Sequence, residues 1–220
     1  MSFYTADSLS FSYSGRSSLF RGVSFSFEKD ERIGLIGPNG CGKTTLIRLM
    51  LGIIKPLEGK LCLENVDIMN MSLADIGKRI GYVFQNPEKQ LFCPTIREQV
   101  EFSFNYGKGT ISPEAKKRVE YYLKAFDLMQ YKDASPMELS HGEKQRTALA
   151  AALAREVSFL ILDEPTTGLD VLRKNQLAEC ILSLKAEGRG YMITGHEARH
   201  LERFVDRLLI FGPEGVESIG

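Results

Sequence analysis

The chain has 220 residues, 43% of them hydrophobic, enough for one domain with a sizeable core. Lys+Arg and Asp+Glu both number 28, so no charge excess directs the chain to nucleic acid or to an anionic membrane surface. No apolar run is long enough to span a bilayer, the first residues lack a signal-peptide pattern, and Cys41, Cys62, Cys93 and Cys180 have no metal-ligand spacing, so a reduced cytosolic setting is the simplest reading.

Residues 3–12 and 23–28 alternate polar and apolar and predict antiparallel strands with one wet face. Residues 11–15 read as a strand end entering a turn. Tyr13 is placed there either to stack on a base or to pack in a hairpin, and periodicity alone leaves both open. Residues 32–36 read as a short buried strand. Next comes Gly37-Pro38-Asn39-Gly40-Cys41-Gly42-Lys43-Thr44-Thr45, which fits the Gly-rich loop that cradles nucleotide phosphates. Glycines let the backbone turn with its N–H groups inward, where a side chain would block a phosphate. Lys43 is suited to charge the β and γ phosphates, and the Thr44 hydroxyl to ligate Mg2+. The helix predicted from Thr45 adds a positive field at its N-terminus. Cys41, beside Lys43 and that helix end, is expected to be a reactive thiol.

Further strands are predicted at 60–64 and 80–84, with a short helix capped by Ser72 between them. Gln85-Asn86-Pro87 ends the second strand. Thr95 is a cap for a helix to about Tyr106, and Ser112-Pro113-Glu114 starts another that carries Val119, Tyr122, Leu123 and Phe126 on one face. Residues of about 90–135 thus predict a helical subdomain without a strand. Ser140, with Glu143 three residues on, forms a capping-box pattern before an Ala-rich helix. Residues 158–163 are an apolar run ending in Asp163 and Glu164, as for a buried parallel strand whose C-terminal end faces a site. A helix over 171–186, a buried strand over 190–194 that ends at His196, a short helix, a strand over 207–211 and a Gly-rich hairpin complete the prediction.

The phosphate loop, Gln85, Leu139-Ser140-His141-Gly142-Glu143-Lys144-Gln145-Arg146, Asp163-Glu164-Pro165, Gly168-Leu169-Asp170 and His196 follow in that order. Over nearly its whole length the chain resembles the nucleotide-binding subunit of an ABC transporter. Gln85-Asn86-Pro87-Glu88-Lys89-Gln90-Leu91-Phe92 resembles a stretch of the energy-coupling factor ATPases, which serve importers of vitamins and of cobalt or nickel ions; Lys89 replaces the second acid of that pattern.

The resemblance implies an α/β fold of the P-loop NTPase, ABC ATPase type over residues 1–220. A mainly parallel core sheet, an antiparallel β portion and the helical subdomain would make up that fold. It implies ATP and Mg2+ as cofactors, and hydrolysis that powers uptake of a small nutrient. The partners would be transmembrane subunits and a second ATPase subunit, without nucleic acid, at the cytoplasmic face of the membrane. An exporter subunit or a non-transport ABC ATPase is the alternative. Among the site residues, Gly37, Pro38, Asn39, Gly40, Cys41, Gly42, Lys43, Thr44 and Thr45 would hold the phosphates, and Tyr13 the adenine. Asp163, with Thr44 and Gln85, would serve the metal. Glu164 would be the general base, and Gln85 and His196 would sense the γ-phosphate. Ser140 and Gly142 would reach ATP held by the opposite subunit, and Asp170 would touch that subunit. His141 stands where the family has Gly, which is strained if the backbone there has positive φ, and Glu143 stands where Gln is common. Residues 88–92, with Glu98 or Glu101, would receive a membrane subunit.

Overall fold

The computed structural model describes residues 2–14, 17–104, 111–155, 157–212 and 215–219. Its centre is a six-stranded sheet in the order β10-β9-β3-β8-β7-β6. The strands are β3 (Arg32–Ile36), β6 (Ile80–Val83), β7 (Phe159–Leu162), β8 (Gly190–Gly195), β9 (Arg207–Gly212) and β10 (Gly215–Ile219). Neighbours from β6 to β9 run parallel, and β10 alone is antiparallel, to β9. Every residue of β7 is buried, as a parallel strand covered on both faces requires.

The second sheet, in the order β2-β1-β4-β5, is antiparallel. It contains β1 (Tyr4–Phe11), β2 (Phe20–Phe27), β4 (Glu58–Leu63) and β5 (Val66–Asp67). β2 begins three residues earlier than its alternation suggested, because Phe20 pairs with Phe11 across the ladder and buries its ring. One face of the parallel sheet packs on this second sheet and on α1 (Lys43–Met50). Phe159 of β7 joins them: its ring stacks on Phe27 at 4.7 Å and lies 5.7 Å from Phe3.

Helices cover the other face. They include α3 (Ile96–Glu101), α4 (Pro113–Ala125), α5 (His141–Ala154), α6 (Val171–Ala186) and α7 (Ala198–Leu201), which packs on β3 and β8, while α2 (Leu73–Arg79) lies beside β6. The caps follow the sequence. Ser72, Thr95, Ser112 and Ser140 accept from the backbone amide three residues on, and Ser140 with Glu143 forms the full capping box. α4 buries Val119, Tyr122 and Leu123, its predicted face. α3 ends at Glu101 and gives way to a 3-10 turn over Phe102–Phe104; Tyr106, its predicted end, lies outside the described residues. Between residues 90 and 135 the described residues form helices and no strand. Among the described residues no helix is long and apolar enough to cross a membrane.

Phe159 joins both sheets, so Phe159→Ala is expected to lower stability by about 3–5 kcal/mol. Urea unfolding checks this, and a loss below about 1 kcal/mol would show that the site collapses around the cavity.

Candidate nucleotide site

Parallel pairing brings the site together. Ile36 of β3 pairs with Gly195 of β8, and Val83 of β6 with Leu162 of β7. The residues that follow these strand ends, Gly37, His196, Gln85 and Asp163, therefore emerge at one edge of the sheet.

At that edge the loop after β3 turns into α1. A Cβ on Gly37 would lie 2.3 Å from the Phe211 carbonyl oxygen, so no side chain fits. Gly40 at φ 80° and Gly42 at φ 110° hold left-handed conformations that glycine supplies without strain. Gly42 is the N-cap of α1 and offers no side chain to its amides, and the first turn has no acid. That end is open to an anion. The loop from Asn39 to Thr45 lines a cavity of about 570 Å³, together with Tyr13, Ser18, Gln85 and Glu164. Lys43 is buried; its Nζ donates to the carbonyl of Gly37 at 2.8 Å and to that of Pro38 at 3.3 Å, and lies 3.9 Å from Glu164 Oε1. Tyr13 stands on the cavity rim, its hydroxyl 3.1 Å from Thr45 Oγ1 and its ring edge-on to Phe11.

Asp163 is 1% exposed and its carboxylate is fully engaged. Thr44 Oγ1 donates to Oδ2 at 3.0 Å, the Tyr82 hydroxyl donates to the same oxygen at 3.1 Å, and Thr194 Oγ1 donates to Oδ1 at 2.7 Å. Thr194 Oγ1 in turn accepts from the Glu164 amide at 2.8 Å. Burial, with the Asp163 carboxylate beside it, pushes the Tyr82 phenol far up, so it stays a neutral donor. Glu164 itself has φ 47°, a left-handed backbone that costs a non-glycine residue ~1–3 kcal/mol. Its Oε2 accepts from Gln85 Nε2 at 3.0 Å. Tyr82 and Thr194 were not assigned roles from the sequence. The available signal was a hydroxyl at Tyr82 and at Thr194 within apolar strands, since such a group needs a partner; Tyr191, also in β8, meets its own at the Phe204 carbonyl.

Mg2+ usually takes one carboxylate, a hydroxyl, phosphate oxygens and waters. Thr44 and Asp163 sit side by side at the loop and fit that set, with Gln85 across the cavity.

Other predicted residues lie apart from this cavity. Ser140 Oγ donates to Glu143 Oε2 at 2.7 Å within its own cap, and that bond holds the Glu143 carboxyl below its ordinary range. Gly142 occupies the first turn of α5. Asp170 caps α6, its Oδ1 accepting from the Arg173 amide at 2.9 Å. The His196 ring is exposed and shares a small neighbouring cleft with Glu164 and Thr194.

Three expectations change. Cys41 lines the phosphate cavity but is only 9% exposed, with its sulfur under Gly37 and packed into the apolar core. His141 has no positive φ: it begins α5, and its ring lies over Gly168, where a Cβ would be 2.8 Å from Cδ2. Glu88 is tied to α5 by Lys144 Nζ at 2.8 Å, and Leu91 is core, so of residues 88–92 Phe92 is the exposed apolar group.

A phosphate loop after β3, with a buried carboxylate and a glutamate after β7 at the same edge of the sheet, defines a nucleotide-binding site. Residues 20–167 match the model of the ABC transporter family. The chain belongs to the ABC transporter family. It is similar to the energy-coupling factor transporter ATP-binding protein EcfA of Methanothermobacter thermautotrophicus, with 38% identity over 92% of this chain and 65% of that protein. A protein of the same description from Methanocaldococcus jannaschii is 33% identical over 92% of this chain and 73% of its own length. The chain thus spans about two thirds to three quarters of these relatives. Among solved structures, CbiO1 of Clostridium perfringens, described as part of the ABC transporter complex cbiONQ, superposes with a TM-score of 0.80. That match has 28% identity and covers 98% of this chain and 87% of that one.

Burial makes Cys41 slow to label. In the folded protein, maleimide is expected to modify the half-buried Cys62 well before Cys41, read by mass spectrometry of the digested protein. Labelling of Cys41 at the rate of Cys62 would show that the loop opens freely.

Proposed function

We propose that this chain is the Mg-ATP-hydrolysing subunit of an importer for a small nutrient, a vitamin or a metal ion. As a single ABC ATPase domain, with residues of about 90–135 as its helical subdomain, it works from the cytoplasmic face of the membrane through separate membrane subunits. The observation that carries the reading is the meeting of Lys43, Thr44, Glu164 and Gln85 at one cavity, with the buried Asp163 bonded to Thr44 behind its wall. The similarity to energy-coupling factor subunits supports the importer class.

Bound Mg2+ supplies charge neutralisation at the phosphates. The protein's own groups do the rest. Lys43 exchanges its loop carbonyls for phosphate oxygens, and the open amides of α1 draw the anion in. Glu164, at the cavity wall, takes a proton from the attacking water, while Gln85 holds its other side and orients it. His196, in the cleft it shares with Glu164, would contact the γ-phosphate once the site is loaded.

Ser140, Gly142 and Asp170 lie outside the cavity, which supports a head-to-tail dimer in which α5 of one chain caps the ATP of another, identical or homologous. The docking surface for a membrane subunit is a groove of about 310 Å³ walled by α2, β6 and α3. Leu73, Phe92 and Phe102 are exposed along it, with Phe92 edge-on to Phe102 at 4.8 Å. Gln90 and Gln99 fix its floor: Gln90 Oε1 accepts from the Phe84 amide, and Gln99 Oε1 accepts from the amides of Phe92 and Cys93. Such a groove suits the apolar side of a short helix.

Glu164→Gln keeps the shape and loses the base. Turnover is expected to fall by ~10²–10⁴ while ATP binding stays intact; turnover close to wild type would remove Glu164 from the role. For the groove, Phe92→Ala with Leu73→Ala is expected to leave solution ATPase activity and melting temperature nearly unchanged and to abolish co-purification of membrane subunits. A collapse in melting temperature with the complex still assembling would place docking elsewhere.

A further inference from the structure

We infer that Tyr82 is a positioning residue for the carboxylate that serves the metal, and that it joins the apolar groove to the phosphate site; this rests on the reading of Asp163 as the metal's carboxylate. Tyr82 reaches both places. Its hydroxyl donates to Asp163 Oδ2 at 3.1 Å, while its ring lines the groove and packs against Phe84 with centroids 4.5 Å apart.

The bonds on Asp163 show why this matters. Oδ1 is taken by Thr194 Oγ1 and is fixed there by the Glu164 amide behind it. Oδ2 receives Thr44 Oγ1 and the Tyr82 hydroxyl. The Thr44 hydroxyl would offer a lone pair to a metal while its proton stays on Oδ2. Tyr82 is the donor on that oxygen that takes no part in the metal's own shell. A buried carboxylate oxygen with fewer donors is freer to rotate and costlier to keep charged. Groups behind a metal's own ligands set their orientation in this way.

The other end of the ring faces the groove. Phe84 follows β6 and its amide is pinned by Gln90 Oε1, so the pair Tyr82 and Phe84 has little freedom of its own. A helix seated among Leu73, Phe92 and Phe102 would press on a wall whose far side holds Asp163. Gln85, next along the chain, offers the nucleotide a contact through the backbone; Tyr82 offers one through a single side chain.

The test uses the full chain with a fluorescent ATP analogue, titrated in EDTA and then with Mg2+. Tyr82→Phe fills the same space and cannot donate. Its affinity for the analogue in EDTA is expected to match wild type and its melting temperature without ligand to drop by a few degrees, because a buried carboxylate loses one donor, while the Mg2+ affinity of the nucleotide complex weakens by about tenfold. A tyrosine that only packs the core would leave the Mg2+ titration unmoved, and an unmoved titration overturns the proposal. Phe84→Ala keeps the hydroxyl but removes the support of the ring. It is expected to weaken Mg2+ in the same direction, and less than additively with Tyr82→Phe. No effect of Phe84→Ala, or full additivity, overturns the link to the groove. Nucleotide binding by the wild-type chain that is indifferent to Mg2+ would overturn the metal reading itself, a failure distinct from one confined to Tyr82.

Discussion

Burying the carboxylate of Asp163 imposes the geometry of everything around it. At 1% exposure the group has lost its water, and it remains tolerable because three hydroxyls replace that water. Those hydroxyls come from three different elements: Thr44 from α1, Tyr82 from β6 and Thr194 from β8. A single carboxylate therefore fixes the helix after the phosphate loop and two strand ends relative to β7. The parallel register of the sheet delivers these groups to one edge, and the carboxylate holds them there.

The next residue carries the strain. Glu164 sits in a left-handed conformation, with its amide on Thr194 and its carboxylate between Lys43 and Gln85. Side chains that over-determine a strained backbone hold a reactive group in one place. Gln85 brings this arrangement into contact with the chain that runs on to Gln90 and Phe92, held by two part-buried carboxamide bonds: Gln90 accepts from the Phe84 amide and Gln99 from the Phe92 amide. The wall of the groove and the wall of the phosphate cavity are thus parts of one short segment, which gives a physical route between a docked partner and a bound nucleotide.

Much of this was legible before any coordinates. The strand, loop and helix around Lys43, the apolar run before Asp163 and the caps at Ser72, Thr95, Ser112 and Ser140 all stand where pattern and chemistry put them. What the pattern missed is long-range. No local rule shows that the Tyr82 hydroxyl meets a carboxylate 81 residues away, or that Thr194 meets it from the next strand. The burial of Cys41 was hidden for a related reason: the loop looks exposed in sequence, yet this residue packs into the core. At His141 the concern about strain dissolved because a helix N-terminus, with ordinary φ, occupies the position. Glu88 reads as a free acid in sequence, and only the fold brings Lys144 beside it.

Ser140 and Gly142 are not among the residues that line the phosphate cavity, and the central proposal is a site shared between two chains. Mixing tests it directly. Lys43→Ala removes the phosphate loop's charge and keeps α5 intact. Gly142→Asp sets an acid at the start of α5, in a position with room for a side chain, and keeps the loop intact. ATPase activity is measured for each variant alone and for the mixture. The account predicts that each alone is inactive and that the mixture regains activity, because a mixed pair joins one intact loop to one intact α5. A mixture as inactive as its components, with pairing of the two chains verified, would contradict it.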